Sequence, residues 1–361
     1  METRSLLQEV AERVVSPTPT SESTENRGTR NATHPPGLGH EAPVNGLARR
    51  ILFAPVVLVA VAVVIFGSLR ILRPDLYPGD SLLGGIVHDL DRGLLHLDLG
   101  CAPPGGTGSG ARPSGKCLPV RVLWQRGMAA DIWLLVGSIV FGGVGGVLGG
   151  LWCVGHPRTL AARALQAGAA LAYCAPVYVV GLTLLYLFSP ASGIVHVPFF
   201  FDAVPRWASP FTDPWAWLRA LLVPWLVLAA PLAGMCLRLT ESLGREITEE
   251  DYVRTAMAKG LAPNTVVRRH VGRPTFGATV SFAPVTLPLF LTNVMLVERV
   301  FSVPGFFHNV WDAIGHNDES AINLPIIITA ALWTTVLLIV LGILADTILG
   351  QLDPRVRSSA F

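Results

Sequence analysis

Two stretches of this sequence hold residue types that could do chemistry. The first, Gly110 to Cys117, reads G-A-R-P-S-G-K-C and falls one residue short of the phosphate-cradling pattern G-x-x-x-x-G-K-[ST]. That pattern needs a strand before it, a helix after it and a hydroxyl in last place to hold Mg²⁺. Here Cys117 ends it, in a Pro- and Gly-rich setting, so no nucleotide site is expected. The histidines are scattered with no pair at metal-ligand spacing on one helix, and His308 and His316 read as solvated positions, so no metal site is assigned. Neither a Ser/His/Asp arrangement nor a carboxylate pair can be tied to a pocket; no catalytic residue is assigned and the chain is read as no enzyme. The second stretch, Glu250-Asp251-Tyr252-Val253-Arg254-Thr255-Ala256-Met257-Ala258-Lys259-Gly260-Leu261, is polar and helix-capable. Its chemistry is that of contact: an apolar ridge with a charged rim suits a groove on another protein. A merely amphipathic linker resting on a membrane surface is the plainer alternative.

The elements that hold this stretch are apolar. Hydrophobic residues make up 51% of the 361, charged residues 14%, and mean hydropathy is +0.51, which places the chain among membrane proteins. A helix needs roughly 20 mostly apolar residues to cross the bilayer core. Six runs qualify: Ile51 to Leu69, Ile132 to Trp152, Ala164 to Phe188, Leu218 to Leu237, Phe276 to Val297 and Pro325 to Gly350. Backbone groups go unsatisfied in hydrocarbon unless bonded within the segment, and the alternation of a membrane β-barrel is absent, so an all-α bundle is expected. Pro176, Pro224, Pro231, Pro284 and Pro288 fall inside runs and read as kinks. With the amino terminus inside, 17 of the 27 Lys and Arg residues lie on the inner side, and the segment Arg238 to Arg273 alone carries seven. The net charge of +2 carries no message about nucleic acid; the basic residues sit at membrane edges.

Residues 1–48, rich in Ser, Thr, Pro, Asn and Gly, read as a disordered cytoplasmic tail, because such a composition cannot offset ordering entropy by burial. Residues 49–72 form the first transmembrane helix, 73–130 an external segment with a Cys-bracketed insertion, and 131–357 a five-helix core that includes a loop at 241–275. On an oxidising outer face a disulfide between Cys101 and Cys117 is chemically sensible, with two free thiols as the alternative. Closing that loop would remove on the order of 3 kcal/mol of unfolded-state entropy. Cys153, Cys174 and Cys236 read as small buried hydrophobes. Gly142, Gly146 and Gly150, with Gly145 and Gly149, recur at spacings of four, which permits close helix approach within the chain or to a partner.

Within the loop, Thr248 and Asp251 have the spacing of a capping box and Gly260 supplies a stop. Pro263 suits the first turn of a second short helix running through His270, ended by Gly272 and Pro274. Val253, Ala256 and Met257 share one helical face, while Arg254 and Lys259 project elsewhere. In the apolar runs the ionisable or polar candidates are Asn293, Glu298 and Asp346: Asn293 reads as an interhelical hydrogen-bonding residue, and Glu298 and Asp346, near span ends, as surface placements or pathway groups.

The D-Y-V-R-T-A-x-A-K-G-L pattern of Asp251 to Leu261 resembles the cytoplasmic loop of permease subunits from bacterial ABC importers of the dipeptide and oligopeptide branch, which also handles nickel chelates. Pro78-Gly79-Asp80 and Gly93 to Gly100 are similar to its external segment, although Leu97 stands where Gly is common. Val297-Glu298-Arg299-Val300-Phe301-Ser302-Val303-Pro304-Gly305 resembles its V-E-x-V-F-x-x-P-G, and Leu352-Asp353-Pro354-Arg355-Val356-Arg357 its L-D-P-R-x-R ending. The resemblance implies a type I ABC importer permease fold, six transmembrane helices with a cytoplasmic coupling helix, in the bacterial inner membrane. It implies a second permease subunit, two nucleotide-binding ATPase subunits that hold ATP and Mg, and an external solute-binding protein; this chain would hold no cofactor and, beyond membrane lipid, no nucleic acid. It makes Asp251, Tyr252, Arg254, Ala256, Lys259, Gly260 and Leu261 the ATPase-docking surface. Gly272 and Pro274 depart from the family's more usual Leu and Asn. The competing readings are a stand-alone secondary transporter or channel of six helices, and a membrane scaffold that recruits a partner without transport.

Overall fold

The computed structural model describes residues 44–72, 81–96, 98, 100–102, 118–188, 209–314 and 323–352. The expected tail up to residue 43, the Pro78-Gly79-Asp80 motif, most of the Cys-bracketed insertion including Cys117, His316 and the L-D-P-R-x-R ending beyond Leu352 lie outside the described residues. In chain order the elements are α1 (Val44–Leu72), α2 (Leu82–Leu90), the strands β1 (Cys101–Ala102) and β2 (Leu118–Pro119), α3 (Val120–Gly155), α4 (Leu160–Cys174) and α5 (Val177–Phe188). There follow α6 (Pro214–Thr248), α7 (Asp251–Ala258), α8 (Pro263–Val266), α9 (Gly272–Ser281), α10 (Ala283–Phe301), α11 (His308–Ala313) and α12 (Leu324–Leu352). Helix α1 starts at Val44 and α3 at Val120, both earlier than their apolar runs.

Among the described residues five helices are long and apolar enough to cross a membrane, and six if α4 and α5 count as one span. The run from Ala164 to Phe188 is not one straight helix. Its two halves meet at 106°. Proline's ring disfavours helical geometry in the residue before it, and Ala175, ahead of Pro176, is extended at φ −75°, ψ 128°. By contrast Pro224 and Pro231 sit inside α6 without ending it, while Pro284 stands in the first turn of α10, where no N–H is needed.

Burial separates a central post from a peripheral helix: half of the apolar window of α6 is covered by the rest of the molecule, against 11% for Ile51–Leu72 of α1. Lipid tails are as apolar as leucine, so packing and close approach, rather than the hydrophobic effect, hold such helices together. The glycine stripe does this inside the chain. A Cβ on Gly142, Gly146 or Gly150 would come within 2.9, 2.6 and 2.7 Å of the carbonyl oxygens of Ala229, Ala233 and Leu237 on α6, whereas Gly143 and Gly145 face open space. Leu134, Leu221, Leu228, Phe306 and Ile326 are fully buried in the main core. An aromatic cluster joins it: Trp217 meets Trp133 and Trp225 edge-on at 5.2 Å each, and Trp225 Nε1 donates to the Trp133 carbonyl at 2.9 Å. Edge-to-face pairs of this kind contribute about 0.5 to 1.5 kcal/mol beyond burial.

At the far end of α1, the buried Arg70 holds Asp89 of α2 at 2.9 Å, and Gly85 leaves room for the guanidinium. Strands β1 and β2 pair antiparallel, Cys101 opposite Pro119. Cys101 is disulfide-bonded, while Cys153, Cys174 and Cys236 are free; Cys153 and Cys236 are buried as expected and Cys174 is exposed.

Candidate functional site

The hairpin is a direct continuation of the central post. Helix α6 runs through Thr248, whose hydroxyl donates back to the Gly244 carbonyl at 2.7 Å. Thr248 is therefore no N-cap, and the expected capping box does not form. Glu250 takes the N-cap position of α7 without a side-chain hydrogen bond, and Asp251 stands in the first turn, where its charge suits the helix dipole. At the other end Lys259 is the C-cap, the Gly260 N–H donates to the Met257 carbonyl at 3.0 Å, and Gly260 adopts φ +77°, a left-handed conformation that turns the chain out of the helix.

Pro263 opens α8 in its first turn as expected. Gly272 and Pro274 do not end the second helix. The chain passes through a wide π-type turn at Val267–Val271 into α9, and Pro274 falls in the first turn of α9, where a missing N–H costs nothing. The hairpin is thus fused to the fifth span on one side and to α6 on the other.

A small core fixes its pose. Val253, Val266 and Val271 are fully or almost fully buried against Val154 at the end of α3 and Ile247 at the end of α6. Ala256 is buried with Val253, so part of the ridge read from the sequence faces the chain's own core. What faces outward is Asp251, Tyr252, Arg254, Met257, Lys259, Gly260 and Leu261, with Tyr252, Met257 and Leu261 between 41% and 48% exposed. Exposed aromatic and apolar side chains between charges, on a helix seated from beneath, make a surface that can accept thrust.

Tyr252 leans across the hairpin and its hydroxyl donates to the His270 carbonyl at 3.3 Å. Partial burial, with the nearby Glu250 charge, raises its phenol above the ordinary value. Beside it a cavity of about 680 Å³ opens between the hairpin and the last turns of α12, lined by Arg269, His270 and Arg273 on one side and Leu349 and Leu352 on the other.

Among the other sequence candidates, Asn293 and Glu298 are placed differently from their reading. Asn293 donates to the Leu289 carbonyl of its own helix at 3.1 Å rather than across helices. Asp346 is half-buried in the last two turns of α12. Glu298 is fully buried, which overturns a surface placement, and His308 is half-buried, its backbone N–H donating to Glu298 Oε2 at 2.8 Å. Asp131, which the sequence reading passed over, is fully buried on α3. Among the described residues no group of His, Cys, Asp and Glu could hold a metal ion.

Comparison with known proteins gives this geometry a lineage. The sequence model described as binding-protein-dependent transport system inner membrane component matches residues 145–358, from the glycine stripe through the hairpin to the last helix. A probable peptide ABC transporter permease protein, y4tP of Sinorhizobium fredii, is 26% identical over 240 residues, 66% of this chain and 73% of that one. The dipeptide transport system permease protein DppB of Haemophilus influenzae is 27% identical over 240 residues, 63% of this chain and 68% of its own. DppB of Bacillus subtilis is 25% identical over 238 residues, covering 66% and 71%. With its apolar helices and more than half its length matched, this chain belongs to the family of multi-pass inner-membrane components of binding-protein-dependent transport systems.

Proposed function

We propose that this chain is one of two pore-forming permease subunits of an ATP-driven importer for peptides or related small solutes, and that α7 is its coupling helix. The observation that carries the reading is the seating of α7: an outward face of Tyr252, Arg254, Met257 and Leu261 on a buried valine core that is continuous with α3, α6 and α9. A push on that face reaches membrane helices without an intervening flexible joint. The peptide assignment is supported by the names of the relatives, and the cargo itself is set by an external solute-binding protein that delivers it. Two ATPase subunits on the cytoplasmic side hold ATP and Mg, each gripping the hairpin of one permease, so that ATP-driven closure turns the helices and switches access from one face to the other. The amino terminus lies in the cytoplasm. This chain then performs no catalysis and needs no cofactor.

The test is co-expression with candidate ATPase subunits, purification through a tag on this chain, and uptake of a labelled dipeptide into proteoliposomes. Co-purification that is lost in Arg254→Glu and Tyr252→Ala, with uptake lost in parallel, is the expected result. Uptake at full rate without any ATPase would establish a secondary transporter instead. Labelling of single cysteines at positions 251 and 260 from the outer face of intact cells would overturn the orientation.

A further inference from the structure

Asp131 of α3 and Glu298 of α10 are fully buried, and their carboxyl groups meet in hydrogen-bond contact. Three donors serve them. Asp131 Oδ1 accepts from the Phe306 N–H at 2.7 Å and Oδ2 from Trp333 Nε1 at 2.8 Å; Glu298 Oε2 accepts from the His308 N–H at 2.8 Å. Glu298 Oε1 is buried and receives no donor among the described residues. Two carboxyl groups hydrogen-bond only when one of them carries the hydrogen, and two bare carboxylates in contact repel strongly in a site without water.

Among the described residues no cation pairs with either carboxyl. Of those described around the pair, α10 supplies Arg299, α11 supplies His308 and Asp312, and α12 supplies the Trp333 indole. Arg299 is engaged by Asp312 at 3.0 Å, and its Nη1 lies 3.5 Å from His308 Nε2; His308 Nδ1 lies 3.2 Å from the Glu298 carbonyl. The pair thus ties α3, α10 and α12 to the segment 303–314, at the end of the bundle away from the hairpin. That segment is seated without slack: a Cβ on Gly305 would meet Glu298 Cδ at 2.2 Å, and one on Gly127 would meet the Phe306 nitrogen at 2.3 Å.

We propose that Asp131 and Glu298 hold one shared proton, and that the protonated pair is the latch keeping segment 303–314 docked in the bundle. Loss of that proton to water leaves two facing negative charges, and the segment lifts. Asp131 and Glu298 are positioning residues in this account, and touch no cargo. The inference rests on the permease reading only for its consequence in transport.

Hydrogen exchange of segment 303–314 tests it in the assembled transporter in lipid nanodiscs, without ATP or cargo. Corrected for intrinsic rates, the protection of the wild-type segment should fall at least about tenfold between about pH 6 and about pH 9, the range in which buried carboxyls release protons. In Glu298→Gln the amide donates to Asp131 in place of the proton, and protection should stay flat. Trp333→Phe, which keeps the pair, should lower protection and retain the pH dependence. A flat wild-type profile, or the same slope in Glu298→Gln, would overturn the proposal. Should that variant fail to fold, infrared spectroscopy of the wild type decides: a buried carboxylic-acid carbonyl band at neutral pH that disappears at high pH supports the latch, and its absence sinks it.

Discussion

Replacing Gly260 isolates the mechanical role of the hairpin, because the structure separates backbone strain from bulk at this residue. Its φ is +77°, and a Cβ built there has nothing within 4 Å. An added Cβ therefore meets no obstacle among the described residues, and its effect comes from forcing an L-residue into the left-handed region. That costs roughly 1 to 2 kcal/mol, less for Asn and more for a β-branched residue. Converted to populations, 1 to 2 kcal/mol displaces the native turn by a factor of about 5 to 30. The expected order of dipeptide uptake in proteoliposomes is Gly, Asn, Ala, Val, with Gly260→Asn near wild type and Gly260→Val reduced about 5- to 30-fold. Expression and thermal stability should hardly change, because the turn is solvent-exposed and the valine core lies beneath α7. Uptake that falls with side-chain volume instead, Asn failing as badly as Val, would refute the argument from backbone conformation and point to steric contact with a partner.

Four further outcomes follow from the packing. Gly146→Val drives a side chain into the Ala233 carbonyl and should destabilise by about 1 to 3 kcal/mol in detergent melts, whereas Gly145→Ala meets open space and should be neutral or stabilising. The buried Thr240 and Thr279 hydroxyls lie 3.2 Å apart, and Thr279 already donates to the Thr275 carbonyl, so Thr240 is left as donor to Thr279. Thr279→Val strands the Thr240 hydroxyl and should cost about 1 to 3 kcal/mol, more than Thr240→Val, by the asymmetry between losing a bond and orphaning a buried partner. Gly85→Ala displaces the Arg70 guanidinium from its slot beside Asp89, and loss of protection in exchange experiments should be confined to α2 and the end of α1. Because the Tyr252 phenol is raised, its contribution is fully present below the ordinary tyrosine value and is lost only as pH climbs through the raised one; ultraviolet titration of the complex should show Tyr252 ionising later than a free tyrosine, and Glu250→Gln should bring it earlier.

What could be read from the sequence were features whose cause is local. Gly260 ends a helix because of its own backbone freedom, and Pro263 begins one because of its own ring. Six apolar runs gave the spans, with one bent where Pro176 constrains its neighbour. Thr248 misled because the capping signal competes with the momentum of α6, whose packing on α3 and α4 carries the helix a turn further. The ridge of Val253 and Ala256 was legible as apolar, but nothing in the sequence says that Val266, Val271 and Val154 cover it. Glu298 lay just past the edge of one run and read as a residue near a span end, while Asp131, one position before the start of another run, drew no reading. Their burial comes from a contact between segments 175 positions apart, Asp131 with Phe306. The apolar run began at Ile132, and only the structure, in which α3 begins at Val120, places Asp131 inside the helix. An acid that deep in a spanning helix is a functional candidate by default.

The close approach of Gly142, Gly146 and Gly150 to α6 seats the side chains of Leu232, Cys236 and Thr240 in the gaps that the glycines leave. Side chains set into gaps of a facing helix resist sliding, so a tilt of one helix carries the other with it. At 1.5 Å per residue the 35-residue α6 is about 52 Å long, and its Thr248 end leads into the hairpin. A tilt of about 5° applied there sweeps the opposite tip through roughly 4 to 5 Å, about one helical turn of travel. On the coupling role proposed for the hairpin, a small tug at one end of α6 becomes a displacement of that size at the other.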